Sequence, residues 1–187
     1  MKVLFVCTGN ICRSPMGELM FPLFFHHDAV DTDSAGIRGL IDSPIDPASA
    51  LLLACDGIDS REFRSKRLTP QLVATNDLIL CFTEHQRRQI VALAPRARTR
   101  TLTVRGFAAL CVYCADHQLV QGESVDERLA SVLHNAPLLQ PIWSNTPDIA
   151  DPYHKDMEVF REAHDAMGEA FAQIADSLTP ARGRHAT

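Results

Sequence analysis

The stretch Val3-Leu-Phe-Val-Cys-Thr-Gly-Asn-Ile-Cys-Arg-Ser-Pro-Met-Gly-Glu-Leu19 decides how this chain is read. Its first four residues are apolar without alternation, the pattern of a strand covered on both faces of a parallel sheet. A polar, glycine-containing turn follows, and Ser14-Pro15 offers an N-cap and a first helical residue. Met16, Leu19, Met20, Leu23 and Phe24 then recur at helical spacing, while Pro22 predicts a kink or an early end near Phe21. Strand-turn-helix punctuation explains all of this except two residues. Nothing in it requires a cysteine to open the turn, or an arginine six positions later.

Working outward, the pattern predicts a short strand over 29–34 that ends at Ala35-Gly36, and a helix over 47–55 closed by Gly57. A strand follows over 78–82, a helix over 83–93 that stops before Pro95, and a fourth strand over 101–104. A long helix over 156–178 carries Phe160, Ala163, Met167, Ala170, Phe171, Ile174 and Leu178 on one face. His26-His27 reads as a helix end. Strands alternating with helices imply right-handed crossovers. The expected fold is therefore α/β, a doubly wound three-layer sandwich with a central four-stranded parallel sheet. Ligands of such sheets lie beyond the carboxyl ends of the strands, which is where Cys7 falls.

Residues 105–147 exceed what a minimal four-stranded unit needs and read as a helical and loop insert. Phe107, Leu110, Cys111 and Cys114 share a helical face, and Ser124-Val-Asp-Glu127 has the capping-box pattern. A proline-rich loop then leads to Asp151. One domain over 1–180 is expected, with 181–187 as a flexible tail.

The totals narrow the function classes. The 187 residues are 46% hydrophobic with a net charge of -5, so no global charge draws the chain to nucleic acid or to an anionic membrane. No run approaches the roughly 18 apolar residues of a membrane span. A cytoplasmic protein is expected, with its six cysteines mostly reduced. Cys111-x-x-Cys114 with His117 lacks the second ligand pair of a zinc site and reads as helix packing, so neither a metal nor another cofactor is expected.

The chemistry concentrates in the turn. Backbone N–H groups of a strand-to-helix turn converge on a concavity, and the helix adds its positive end, which suits an oxyanion such as phosphate. Cys7 at the floor of that cradle is favoured as a thiolate, and Arg13 can return its planar fork over the mouth. Gly9 permits a tight path, Asn10 can pin the loop, and Ser14 can cap the helix, donate to the Cys7 sulfur, or both. Thr8, Gly9, Asn10, Ile11, Cys12, Arg13 and Ser14 are thus the candidate phosphate-binding residues. Thiolate, anion cradle and bidentate arginine together describe phosphoryl transfer through a phosphocysteine. The leaving oxygen needs a proton, and a carboxylic acid must reach the turn from elsewhere.

Cys7-Thr-Gly-Asn-Ile-Cys-Arg-Ser-Pro15, with Asp151-Pro-Tyr153 ahead of the last helix, resembles the low-molecular-weight protein tyrosine phosphatases. "SAG" at Ser34, "SPIDP" at Ser43, "GID" at Gly57 and "DLIL" at Asp77 extend the resemblance over most of the chain outside 105–147. It implies Cys7 as nucleophile, Arg13 as transition-state clamp, Asp151 as general acid and then base, and Tyr153 as a wall beside the substrate ring. It implies a tyrosine-phosphorylated protein as substrate and partner, with a bacterial tyrosine kinase as a family-level suggestion. Ile11 implies phosphotyrosine rather than phosphoarginine, since the phosphoarginine branch carries Thr there.

Two departures stand out. Phe63-Arg-Ser-Lys66 occupies the segment where the family usually shows a His that supports the loop serine, and "GIRGLIDSP" offers only Leu40 and Ile41 opposite the tyrosine. Trp143 is a candidate for the missing aromatic wall, and Cys12 for a reversible disulfide with Cys7. Two other functions fit parts of the pattern. An arsenate reductase on the same fold needs two more neighbouring thiols after the third strand, where only Cys81 stands. A phosphoprotein-binding module without turnover would keep the cradle but not need Asp151.

Overall fold

The computed structural model describes residues 1–25 and 30–180; the His26-His27 helix end and the 181–187 tail expected from sequence lie outside them. Strand β1 (Lys2–Cys7) is buried from Val3 onward, as its unbroken apolar run requires. Helix α1 (Arg13–Met20) starts two residues before the Pro15 start that Ser14-Pro15 predicts. Cys12 occupies the N-cap position without a side-chain bond, because the Ser14 hydroxyl is engaged at the Cys7 sulfur instead. At Phe21–Phe24 the chain tightens into a 3₁₀ turn, the early end that Pro22 imposes. Gly17 lets α1 lie directly on β1, since a Cβ there would come within 2.6 Å of the Phe5 ring.

Next come β2 (Asp31–Gly36) and α2 (Pro47–Cys55), the latter capped by the Asp46 side chain accepting from Ala48 N–H. Helix α3 (Pro70–Ala74) escaped the sequence reading because five residues are too few to show a period; its signature was Thr69-Pro70, a cap followed by proline at the first position. Strand β3 (Leu78–Cys81) and α4 (Glu84–Leu93) follow, with Thr83 as cap. A 3₁₀ segment, Pro95–Arg100, leads to β4 (Thr101–Thr103). This strand stops one residue short of expectation because the Thr103 hydroxyl accepts from Gly106 N–H and starts α5 (Val104–Asp116). Then α6 (Val125–Asn135) opens with both halves of the capping box formed, and α7 (Gln140–Trp143) and α8 (Met157–Leu178) complete the order.

The sheet runs β2-β1-β3-β4 and is parallel throughout, with Cys7 opposite Gly36 and Val6 opposite Cys81. Helices cover both faces, giving the α/β three-layer sandwich. On one face Phe5, Phe21 and Phe171 meet edge to face with centroids 4.9–5.5 Å apart. On the other, Leu4, Val6, Ile79 and Ile90 form a second core. Phe107, Leu110, Cys111 and Cys114 of α5 lie in the same buried cluster as Phe5 and Phe171. The segment read as an insert therefore begins with a helix of the central core. Among the described residues, no helix is long and apolar enough to cross a membrane.

Candidate active site

Cys7 closes β1 at the carboxyl edge of the sheet, and α1 begins six residues later. Between them the loop curls around a cleft of about 220 Å3. Cys7, Thr8, Gly9, Ile11, Cys12 and Arg13 line it from below, and Arg38, Leu40, Asp151 and Tyr153 from the sides.

Asn10 sets the loop's shape. It is fully buried and holds the left-handed conformation at φ 59°, which asparagine tolerates better than most residues. Its backbone N–H donates to Cys7 Sγ at 3.2 Å. Its side-chain amide donates to Ser14 Oγ at 2.9 Å and to Ser34 Oγ at 2.8 Å, and its Oδ1 accepts from Lys66 N–H at 2.7 Å. Ser14 Oγ also lies 3.0 Å from Cys7 Sγ, and it is the donor there once the sulfur is ionised, because a thiolate can only accept. The Ser34 hydroxyl donates to Glu18 Oε2 at 2.5 Å. Burial raises the Glu18 carboxyl above its usual range, against the lowering by its Ser34 bond and Lys66. The ionised sulfur thus receives two hydrogen bonds, an arrangement that stabilises charge on it.

Arg13 is buried beneath the mouth, with its guanidinium 5.6 Å over the Phe82 ring. One terminal nitrogen donates to Ile149 O at 2.9 Å and the other to Asp151 Oδ2 at 2.7 Å. Its Nε–H is buried and has no partner among the described residues. Ile149 N–H donates to Phe82 O at 2.8 Å, which moors the Asp151 segment to the end of β3. Tyr153 N–H reaches Asp151 Oδ1 at 3.3 Å, an Asx-type turn that aims the carboxylate inward. Sequence separations of 136 residues are closed here by tertiary contacts alone.

Residues 2–136 match the model of the low molecular weight phosphotyrosine protein phosphatase family. The chain belongs to that family. Among curated relatives, the low molecular weight protein-tyrosine-phosphatase Etp of Escherichia coli K12 is 27% identical over 95% of both chains. Among solved structures, Vibrio vulnificus Wzb in complex with benzylphosphonate superimposes with a TM-score of 0.68 at 26% identity, covering 95% of this chain and 98% of that one. The YwlE arginine phosphatase from Geobacillus stearothermophilus superimposes with a TM-score of 0.72 at 25% identity, covering 95% and 92%.

Several residues take places other than those expected from the sequence. Asn10 and Ser14 do not line the cleft; they sit behind the loop and brace it. The His position filled by Phe63 leaves a side chain buried in the core. Support for Ser14 instead comes from Asn10, which is held in turn by Lys66 N–H and the Ser34–Glu18 pair. Trp143 is not an aromatic wall of this cleft. It is buried, donates its indole N–H to Ala136 O at 2.8 Å, and carries the Arg87 guanidinium 4.8 Å over its ring. Cys12 lines the cleft, but burial, with Asp46 and Cys7 adding to it, pushes its thiol well up.

Four contributors were missed from sequence: Arg38, Phe82, Gln86 and the Ile149 carbonyl. Gln86 links the loop to β3, donating to Thr8 Oγ1 at 3.2 Å and accepting from Phe82 N–H at 3.0 Å. A carbonyl has no side-chain signature, and Gln86 reads as an ordinary helix residue. Only Arg38, two residues after "SAG", lay close enough to a motif to be noticed.

Proposed function

We propose that this chain hydrolyses phosphotyrosine in proteins through a phosphocysteine formed on Cys7. The observation that carries the reading is the pair of hydrogen-bond partners on Cys7 Sγ, Ser14 Oγ and Asn10 N–H, at the floor of a cleft that also holds Arg13 and Asp151. The thiolate attacks phosphorus in line, forming the S–P bond as the P–O bond to the tyrosine breaks. Arg13 and the loop N–H groups stabilise charge on the equatorial oxygens. Its Nε–H is available for this, and an arriving phosphoryl group competes with Asp151 for the terminal nitrogens. Asp151 then protonates the departing phenoxide. In the second step it takes a proton from water, which attacks phosphorus and returns Cys7. Thr8, Gly9, Ile11 and Cys12 contribute the rest of the cradle, and Asn10 and Ser14 hold it.

Ile11, Leu40 and Tyr153 present an apolar and aromatic wall to an aryl ring. The fold likeness to an arginine phosphatase makes phosphoarginine the second reading, but Ile11 offers no polar atom to a guanidinium. An arsenate reductase is disfavoured because the Cys81 thiol is fully buried, and that burial pushes it well up. Asp151 on Arg13 is unneeded by a module that only binds. The substrate is then a tyrosine-phosphorylated protein, a bacterial tyrosine kinase being one such partner, in the cytoplasm and without nucleic acid.

The test is a panel of phosphotyrosine, phosphoserine and phosphoarginine peptides against wild type and Cys7→Ser. Wild type should release phosphate from phosphotyrosine alone, and Cys7→Ser should lose turnover by more than about 10³-fold while still binding inorganic phosphate. Preferential release from phosphoarginine would refute the reading.

A further inference from the structure

One cation of the cleft has no task in this chemistry. The turn after β2 is laced to the phosphate loop through the backbone: Ile37 N–H donates to Cys7 O at 2.9 Å, Arg38 N–H to Thr8 O at 2.9 Å, and Leu40 N–H to Gly9 O at 3.2 Å. Gly39 locks its other side, since a Cβ there would sit 2.4 Å from the Lys66 carbonyl oxygen. The Arg38 backbone is therefore held at a fixed offset from the Cys7 sulfur. Its side chain lines the cleft on the exposed side.

Several charges near the cleft are already engaged. Arg13 pairs with Asp151, Lys66 with Asp33, and Asp46 caps α2. Arg38 makes no ion pair or side-chain hydrogen bond among the described residues. Arg67 reaches back to Gly39 O at 3.5 Å and adds a second cation beside the same turn. A phosphotyrosine with its phosphoryl group on Cys7 brings its backbone out at the rim. The residues flanking it in sequence then emerge between Arg38 and Tyr153.

We propose that Arg38 is a specificity-determining residue that favours phosphotyrosine flanked by Glu or Asp. This rests on the phosphotyrosine reading above. An exposed ion pair of this kind changes rates by about threefold per charge and is screened by salt.

The experiment compares hexapeptides that differ only in Glu, Gln or Lys immediately before or after phosphotyrosine. In wild type at low salt, kcat/KM in one of the two sets should favour Glu over Gln by about threefold and over Lys by about tenfold. Roughly 1 M salt should erase the preference. Arg38→Gln should bring the Glu-to-Lys ratio close to one, and Arg38→Glu should invert it. Equal rates for all peptides in wild type, or a ratio unchanged in both variants, overturns the proposal. A loss in the variants that is equal for both peptides and for phenyl phosphate also overturns it, because Arg38 would then act on the phosphoryl group. If wild type cleaves phosphoarginine and none of these peptides, the phosphotyrosine reading itself has failed, and this inference with it.

Discussion

Behind the phosphate loop, Asn10 and Ser14 are fully buried and every side-chain polar atom they carry is hydrogen-bonded. At the rim, Leu40 and Tyr153 are 49% and 45% exposed, and Arg38 stands beside them without a partner among the described residues. Floor and rim lie within one cleft, yet different physics holds them. The floor is specified by satisfied buried bonds, where one lost partner costs a desolvation penalty. The rim is specified by shape and loose charge, where substitutions are cheap to the fold and act on which substrate fits. The difference teaches that chemistry and selectivity can be altered separately in this molecule.

Asn10→Ala attacks the floor and should have the largest effect. It removes three side-chain bonds and places alanine at a left-handed φ, so we expect a loss of about 2–4 kcal/mol in stability, read by denaturant unfolding. Turnover should fall with it, measured on phenyl phosphate below the melting temperature. A variant of unchanged stability would break the contrast.

Asp151→Asn removes the proposed acid. It should slow phenyl phosphate, a poor leaving group, by about 10²-fold or more, and dinitrophenyl phosphate by less than about tenfold. Equal slowing of both esters would remove Asp151 from the acid's role.

Glu18→Gln sharpens the comparison, since it alters the far end of the Ser34–Asn10–Ser14 bracing without touching substrate. Glu18 has its carboxyl raised in the fold, chiefly by burial. A raised acid favours folding while protonated, below its unfolded-state pKa, and that contribution is lost as pH rises through the folded-state pKa. Wild type should therefore lose stability relative to Glu18→Gln as pH rises above the ordinary glutamate range of about 4.3. Thermal unfolding of both proteins across that rise checks it, and a constant gap would contradict it.

Trp143→Phe is the control outside the cleft and should have the smallest effect. It leaves the buried Ala136 carbonyl without its donor, at a cost of about 1–2 kcal/mol. Turnover of phenyl phosphate should not change. A raised KM for aryl esters would return Trp143 to the substrate wall.

Much of the fold was legible in the chain because its elements are strongly patterned. The apolar run at Val3, the proline at 22 and the long stripe of α8 each announce a local structure whose energetics are local. Ends were less legible where a capping hydroxyl had two possible partners. Ser14 reads as a helix cap, a donor to the Cys7 sulfur, or both; it sits at the sulfur and Asn10, and Cys12 takes the N-cap position. Helix α3 was hidden because five residues hold less than two turns.

By itself the sequence determined that a cysteine closes a buried strand, that an arginine follows at six residues, and that a parallel sheet puts both at its carboxyl edge. Motif and period are properties of neighbouring residues, so they survive being read in one dimension. Only the tertiary structure decided that Asn10, held by Ser34 and the Lys66 N–H, supports Ser14, that Ile149 and Asp151 hold Arg13, and that Trp143 lies outside the cleft lining. Those outcomes depend on which distant groups are left to satisfy a buried donor or acceptor, and that is known only once the chain has closed around them.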